Sequence, residues 1–231
     1  LAKDGLFLRN LSTSQKDLIH VSRWNWLAGA TWHLSDNDEI QLEYSGNSAS
    51  RRRDFITERS TTVNNETEIT NYDSRNSSKP ENHTLLANYS HEFSESSLNI
   101  SATYNYKFSS SNEGVFLMPD NILSETNTNR STYNMWTLQG DYSWKFLNKH
   151  QQNTGLYGGR SENNSNADYT FMGIQRVNGS VSWCEFYYSS NWDIKGFAIT
   201  PGFRFRYENQ QSKSYIESNN SSFDKSYFNV V

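Results

Sequence analysis

Alternation of apolar and polar residues at every second position limits most strongly what this chain can fold into. At 23–34 the even positions hold Trp, Trp, Ala, Ala, Trp and Leu, while the odd positions include Arg, Asn, Thr and His. The same period recurs in five further stretches, at 40–44, 85–89, 98–107, 136–145 and 197–208. This period, with one apolar and one polar face, is typical of half-buried β-strands. The alternation is less regular at 154–159 and at 181–191, where Glu185 and Phe186 interrupt it.

The composition excludes several other classes of protein. Aromatic residues make up 15% of the chain although all hydrophobic residues reach only 34%, and disordered chains are poor in aromatic residues. The single cysteine, Cys184, cannot form an intramolecular disulfide. A net charge of −4 argues against a nucleic-acid partner, since such proteins usually carry a basic excess. The sequence lacks the run of 18 apolar residues that a transmembrane helix requires.

Short and long connections alternate between the periodic stretches. Short turns are predicted at 35–38, 92–97, 147–152 and 192–196. Long polar connections are predicted at 46–82, 109–131, 160–179 and 209–224. Compact soluble domains seldom contain several such loops, whereas outer-membrane barrels combine tight periplasmic turns with long extracellular loops. The sequence therefore predicts an all-β, antiparallel transmembrane β-barrel with about eight visible strands, and its long loops are expected to be mobile and sensitive to protease.

The two faces of such strands have different expected surroundings. Every backbone group must be paired inside a bilayer, so the apolar face would contact lipid and the polar face would line the lumen. Trp32 and Trp144 lie beside short turns and are expected in the periplasmic aromatic girdle, whereas Trp24 and Trp136 are expected in the outer one. The charged residues expected to face the lumen are Glu43, Asp141, Lys145, Arg204, Arg206 and Glu208.

Two interpretations of the lumenal charges remain open. Arg204, Arg206 and Glu208 could form an internal charge ladder that holds the wall together, or they could contact a plug domain or a substrate. We divide the chain into a lead-in segment at 1–22 and a barrel segment at 23–231. The barrel is expected to continue beyond the C-terminus, so that the segment would not fold by itself.

Catalytic and metal-binding patterns are weak in this sequence. His83 and His91 are about 27 Å apart along a strand at about 3.4 Å per residue, so they cannot share one ion. The sequence contains neither a nucleophile-elbow motif nor a glycine-rich phosphate loop. We therefore predict no catalytic residue, no metal, no cofactor and no enzyme activity. The basic run at 51–53 is interpreted as a solvated loop base, with contact to anionic lipid headgroups as the alternative.

Three short segments resemble the barrels of TonB-dependent receptors, a family common in Bacteroidetes. They are Asp-Tyr-Ser-Trp-Lys-Phe-Leu-Asn-Lys at 141–149, Asn-Tyr-Ser-His-Glu-Phe at 88–93 and Gly-Phe-Arg-Phe-Arg-Tyr-Glu at 202–208. Ser-Tyr-Phe-Asn-Val-Val at 226–231 resembles the start of the next strand in that family. Neither a plug domain nor a TonB box is visible in the sequence.

The resemblance implies a function and a set of partners. It implies that the chain is the barrel portion of an outer-membrane transporter that takes up a large substrate, such as a glycan, a peptide or a metal chelate. The implied partners are outer-membrane lipid, the TonB complex acting through a plug domain, and a surface lipoprotein. The implied location is the bacterial outer membrane.

Two alternatives belong to other classes. A soluble or surface-attached β-sandwich could bind glycans through exposed aromatic residues. A complete small outer-membrane barrel could serve as an anchor or an adhesin. The sandwich predicts buried aliphatic strands with aromatic residues clustered in the loops, whereas this sequence places its aromatic residues on one face of most strands.

Overall fold

The computed structural model describes most of the chain. The described residues are 10–63, 66–120, 122–147, 150–170, 173–194, 196–216 and 219–230. Residues 1–9 of the predicted lead-in segment lie outside them, as do 148–149 and 195 in two of the predicted turns and 231 in the last segment of the resemblance.

Ten β-strands account for nearly all of the described residues, and none of these residues belongs to a helix that could cross a membrane. The strands are β1 Asn10–Ser35, β2 Asp38–Val63, β3 Glu66–Glu92, β4 Ser96–Met118, β5 Ile122–Phe146, β6 His150–Tyr169, β7 Gly173–Ile194, β8 Phe197–Ile199, β9 Gly202–Ile216 and β10 Asn219–Val230. Because β1 begins at Asn10, residues 10–22 belong to the sheet rather than to a separate lead-in segment.

The strands form a single antiparallel sheet in which neighbours in sequence are neighbours in space. The order is β1-β2-β3-β4-β5-β6-β7-β9-β10, and β8 also pairs with β7. β8 continues β9 in the same register, and the carbonyl of Pro201 between them accepts a hydrogen bond of 2.9 Å from the amide of Ser190. Among the described residues β1 and β10 do not pair, so the sheet is open.

This topology confirms the all-β antiparallel prediction and contradicts the sandwich. Contacts between elements in the described part of the chain occur only between hydrogen-bonded neighbours, so no second layer packs on the sheet. Ala49 is the single buried hydrophobic residue among those described. A sandwich buries a core between two sheets, and this sheet leaves its large apolar side chains exposed.

The short turns lie where the sequence predicts them, and most of each predicted long connection is strand. The first two turns fall at 36–37 and at 93–95. Where the structure describes them, the polar stretches continue the strands as far as Val63, Met118, Tyr169 and Ile216 on the ascending side of each hairpin. Residues 64–65, 121, 171–172 and 217–218 of the predicted connections lie outside the described residues. The described part of each predicted loop thus consists of two paired strands of a long hairpin.

The strands are much longer than one membrane crossing. β2 contains 26 residues, which span about 85 Å at about 3.3 Å per residue. A tilted transmembrane strand needs only about 9–11 residues. The ends of the hairpins away from the short turns therefore extend far beyond the apolar part of the strands.

Candidate functional site

The register of the strands joins the apolar positions into one continuous surface, which we call the apolar face. Residues directly opposite each other in neighbouring strands lie on the same side of a sheet. One row of such neighbours crosses the sheet from β1 to β9 and consists of Trp32, Ile40, Tyr89, Ile100, Gly140, Leu156, Phe186 and Phe205. Trp24, Trp136 and Trp144 lie on this face as well, so all four predicted girdle tryptophans share one side.

Aromatic rings follow the short-turn end of the apolar face in an unbroken chain. Consecutive ring centroids lie 4.1–6.5 Å apart, in the order His91, Phe93, Tyr142, Trp144, Tyr188, Phe203, Phe205 and Phe228. Trp24 is 73% exposed and Trp136 is 50% exposed. An aromatic belt of this kind has one apolar side and several polar atoms, a composition suited to the headgroup level of a membrane.

The opposite side of the sheet is the polar face. One of its rows runs from β1 to β9 through His33, Glu39, Ser90, Asn99, Asp141, Gly155, Tyr187 and Arg204. Glu43 and Glu208 lie in a second row of this face. Lys145 is four residues from Asp141 on β5 and Arg206 is two residues from Arg204 on β9, so both also point to the polar face. The structure therefore brings all six predicted lumenal residues to one face, while their lumenal location stays a prediction.

A buried carboxylate anchors the charges of β9. Glu185 on β7 is 7% exposed, and its oxygens lie 3.3 Å from Nε of Arg204 and 3.9 Å from an NH group of Arg206. Arg206 also donates a 2.8 Å hydrogen bond to Glu208. Sequence analysis missed the ion pairs of Glu185, although a glutamate with Trp183 and Tyr187 two positions away on the same face of a strand could have signalled a buried carboxylate.

Glycines on the polar face lie under aromatic rings. A Cβ atom at Gly155 would overlap the Tyr187 ring and come within 2.7 Å of Asp141. One at Gly159 would come within 2.7 Å of the Trp183 ring. Rings that cover strand glycines restore contacts that the missing side chain would make, so these pairs fix the packing of β6 against β7.

The described residues contain no group of three His, Cys, Asp or Glu side chains that could hold a metal ion. The His83 ring contacts aromatic rings, and its Nδ1 forms a 2.8 Å hydrogen bond with the Tyr44 hydroxyl. His91 instead lies at the short-turn end, with Nδ1 2.6 Å from Asp38. The two histidines thus belong to separate clusters of side chains.

The first short turn is closed by hydrogen bonds to Asp38. Ser35 donates a 2.6 Å bond, Tyr89 donates a 2.7 Å bond, and His91 lies 2.6 Å away. The Ser35 hydroxyl first, then His91 and Tyr89, lower the pKa of Asp38 to about 2. Because the folded pKa is below the unfolded one, this carboxylate stabilises the fold above about pH 4. Its contribution is lost as pH falls through about 2.

Replacing Asp38 by asparagine is expected to flatten the acid end of the stability profile. The wild-type protein should lose stability between about pH 4 and pH 2, and Asp38→Asn should lose less over that range. Urea unfolding of the vesicle-embedded protein at each pH measures this difference. Asp36→Asn in the same turn is the matched control, and an equal flattening by both variants would contradict the assignment.

Comparisons with known proteins bear on the fold alone. No family profile matches the chain, and no curated protein matches it. Among solved structures it is similar to the ferric citrate transporter FecA, with 15% identity and a TM-score of 0.52 over 95% of this chain and 40% of that one. The ferric yersiniabactin uptake receptor FyuA from Yersinia pestis gives 9% identity and a TM-score of 0.53 over 100% of this chain and 44% of that one. The siderophore receptor PiuA from Acinetobacter baumannii gives 10% identity and a TM-score of 0.50 over 99% and 46%.

These likenesses define the fold class. The neighbours are outer-membrane β-barrels, and this chain has the antiparallel, sequentially connected sheet of a barrel wall with one apolar face. It spans less than half the length of the three structures that it matches.

Proposed function

We propose that the chain forms part of the wall of a TonB-dependent transporter in the bacterial outer membrane. Its apolar face contacts lipid, and its polar face lines the lumen through which a large substrate passes. The fold shared with FecA, FyuA and PiuA supports a transporter barrel. The short motifs at 88–93, 141–149 and 202–208 support the family and its Bacteroidetes branch.

The observation that carries the proposal is the exposed, continuous apolar face. Its large side chains are not covered by any second layer in the described part of the chain. Exposing such a surface to water would be unfavourable at about 25 cal/mol per Å² of apolar area. Lipid covers it without that cost, and the antiparallel ladder leaves few backbone groups unpaired within the sheet.

Partners and substrate follow from the same proposal. Outer-membrane lipid contacts the apolar face, and the TonB complex acts through a plug domain. A surface lipoprotein delivers the substrate. The substrate is a glycan, a peptide or a metal chelate too large for diffusion pores, and the charged polar face belongs to the passage that admits it.

Neighbouring labels on β4 test which face meets lipid. Thr103 lies on the polar face and Tyr104 on the apolar face. In a Cys184→Ser background, fluorescent labels on Thr103→Cys and Tyr104→Cys are compared in vesicles of brominated phosphatidylcholine. The label at Tyr104 should be quenched strongly and the label at Thr103 weakly, because a shift of one residue reverses the face. Equal quenching would reject the proposal.

A further inference from the structure

A cavity of about 460 Å³ lies over β2 to β5, mainly on the polar face of the sheet. We call it the polar-face cavity, and a space of this size can hold a small ligand. Glu81 and Phe108, which pair across the strands on the opposite face, complete its margin. Its other lining residues belong to two neighbouring cross-strand rows, Asn47, Asn82, Lys107 and Tyr133 in the first and Pro80, Ser109 and Ser131 in the second.

The polar-face cavity lies just beyond the predicted outer girdle. Tyr133 is three residues from Trp136 on β5, toward the long-hairpin end, which corresponds to about 10 Å along the strand. If the polar face lines the lumen, the cavity therefore opens into the lumen on the extracellular side of the membrane.

The polar side chains that line the cavity are not bonded to one another. Within the described part of the chain, neither its two asparagines nor its two serines make a side-chain hydrogen bond, and Oδ1 of Asn82 is buried without a partner. Rows nearer the short turns differ, since Thr84 donates a 2.8 Å hydrogen bond to Asn105 and Asn88 donates a 3.3 Å bond to Gln41. The cavity therefore keeps its amides and hydroxyls available for a ligand.

Lys107 brings an uncompensated positive charge to the cavity. Its Nζ lies 5.6 Å from the centroid of the Tyr133 ring, and no acidic side chain of the described residues pairs with it. The Tyr133 hydroxyl donates a 3.2 Å hydrogen bond to Sδ of Met135, which holds the ring in place. A lysine held by an aromatic face keeps its ammonium protons for a ligand.

The register divides the basic run at 51–53 between the two faces. Arg52 lies on the apolar face and forms an ion pair with Asp54. Arg53 lies on the polar face and forms an ion pair with Asp17. Arg51 also lies on the polar face, in the row directly beyond the cavity, and has no ion-pair partner among the described residues.

Arg23 on β1 extends the same positive surface. It pairs with Ala49, which lies two residues before Arg51 on β2, and it too has no ion pair within the described ranges. From the strand spacing and the rise per residue, Arg23 and Arg51 are about 8 Å apart, and each is about 16 Å from Lys107. The three polar-face rows that contain these cations have no acidic residue at any described position from β1 to β9.

These features match an elongated, hydroxylated anion. Free amides and hydroxyls both donate and accept hydrogen bonds, as sugar hydroxyls do, and ammonium and guanidinium groups bind carboxylates through charge-assisted bonds. Because the cations are spread over about 16 Å, a compact metal chelate would contact only some of them. An acidic peptide would meet the cations but carries few groups that both donate and accept. An acidic oligosaccharide satisfies both parts of the surface.

We propose that the polar-face cavity binds a carboxylated glycan and that such glycans are the substrate class of the transporter. Lys107 contacts the carboxylate of a sugar unit in the cavity, and the hydroxyls of that unit bond to Asn47 and Asn82. Arg23 and Arg51 contact carboxylates of the units that follow. The proposal rests on the proposed function, because it requires the polar face to line the lumen.

Isothermal titration calorimetry of the full-length protein in phosphatidylcholine nanodiscs measures the binding. The probes are trigalacturonate, trimannuronate, the methyl esters of both, tetraglutamate and ferric citrate. One or both of the acidic trisaccharides should bind, and the matching methyl ester should bind about tenfold more weakly because it carries no charge. Tetraglutamate and ferric citrate should also bind about tenfold more weakly than that trisaccharide.

Matched charge variants test the cations. Lys107→Gln should weaken binding of the acidic trisaccharide by about tenfold, whereas Lys79→Gln should leave it unchanged because Lys79 lies on the opposite face of β3. Arg51→Gln should weaken binding by a similar factor. Arg52→Gln, one residue along the chain and on the opposite face, should have no effect.

A second pair of variants tests the cavity itself. Ser131→Leu should fill the cavity and abolish binding of the acidic trisaccharide and of its ester. Ser165 pairs with Ser131 on the neighbouring strand but does not line the cavity. Ser165→Leu, which adds the same side chain one strand further from the arginines, should leave binding unchanged.

Each remaining outcome overturns the inference. Equal binding of acid and ester would show that the cations do not recognise the carboxylates, and equal binding of tetraglutamate would show a general anion surface. Preference for ferric citrate, or no binding of either trisaccharide at about 1 mM, would reject the substrate class. Unchanged binding in Lys107→Gln or Ser131→Leu would place the glycan elsewhere. The labels at Thr103 and Tyr104 report lipid contact independently, so that failure of this inference is distinguishable from failure of the proposed function.

Discussion

Gly159→Ala is expected to destabilise the sheet strongly, whereas Gly140→Ala on the neighbouring strand should leave it intact or slightly more stable. A Cβ atom at Gly159 would overlap the carbonyl oxygen of Trp136 and come within 2.7 Å of the Trp183 ring and 3.1 Å of Thr137. The carbonyl is part of the backbone and cannot rotate away. β5 and β6 would have to separate, which weakens the ladder between them.

The expected size of this effect comes from overpacking. Inserting one methyl group into a tightly packed site costs about 1–3 kcal/mol. At Gly140 nothing lies within 4 Å of the added atom, and replacing a strand glycine by alanine there gains about 0.5–1 kcal/mol from lower backbone entropy in the unfolded chain. The two variants should therefore shift stability in opposite directions.

Urea unfolding of the vesicle-embedded full-length protein, followed by tryptophan fluorescence, measures both variants. Gly155→Ala is an informative intermediate case, because the atoms that it would meet are the ends of the Tyr187 and Asp141 side chains. Those ends can move, so the loss should be smaller than at Gly159. Equal stability of all three variants would contradict the close approach of β5 and β6.

Sequence analysis predicts the apolar face because alternation is strong where the strands carry aromatic and aliphatic residues. The stretches at 136–145 and 197–208 have a clear period of two, and the structure places both on one face by an uninterrupted register. A period of two specifies which side each residue occupies once a strand is recognised. Together with the regular change between short and long connections, this period predicts an antiparallel membrane-type sheet.

The long hairpins could not be predicted in the same way. At 160–169 both faces are polar, since Arg160, Glu162 and Asn164 alternate with Ser161 and Asn163. No hydrophobic period distinguishes such a strand from a loop, because the strand is stabilised by pairing with its neighbour. The regular register from Gln151 to Tyr169 with β7 shows this pairing.

The apparent break in the period of two on β7 has a related cause. Phe186 lies on the apolar face with Cys184 and Tyr188, while Glu185 lies on the polar face. Residues of the apolar and polar faces therefore alternate regularly along the whole of β7. Trp183 and Tyr187 obscure it, because these aromatic residues occupy the polar face and cover Gly159 and Gly155.

Removing Arg204 and Arg206 together is expected to cost far more stability than removing Glu185. Glu185 is 7% exposed, whereas the side chains of Arg204 and Arg206 are 57% and 41% exposed. Arg204→Gln with Arg206→Gln leaves a buried carboxylate without its partners, which costs about 3–5 kcal/mol. Glu185→Gln leaves two arginines that water can solvate, at a cost of about 1 kcal/mol or less.

A third variant shows whether the buried charge is the cause. Adding Glu185→Gln to the double arginine variant should restore much of the lost stability, because it removes the uncompensated carboxylate. Both backgrounds lack the 2.8 Å bond between Arg206 and Glu208, so their difference isolates Glu185. If the triple variant were less stable than the double variant in urea unfolding, the three charges would not act as a ladder. Recovery would show that Glu185 holds β7 to β9 through its two arginines.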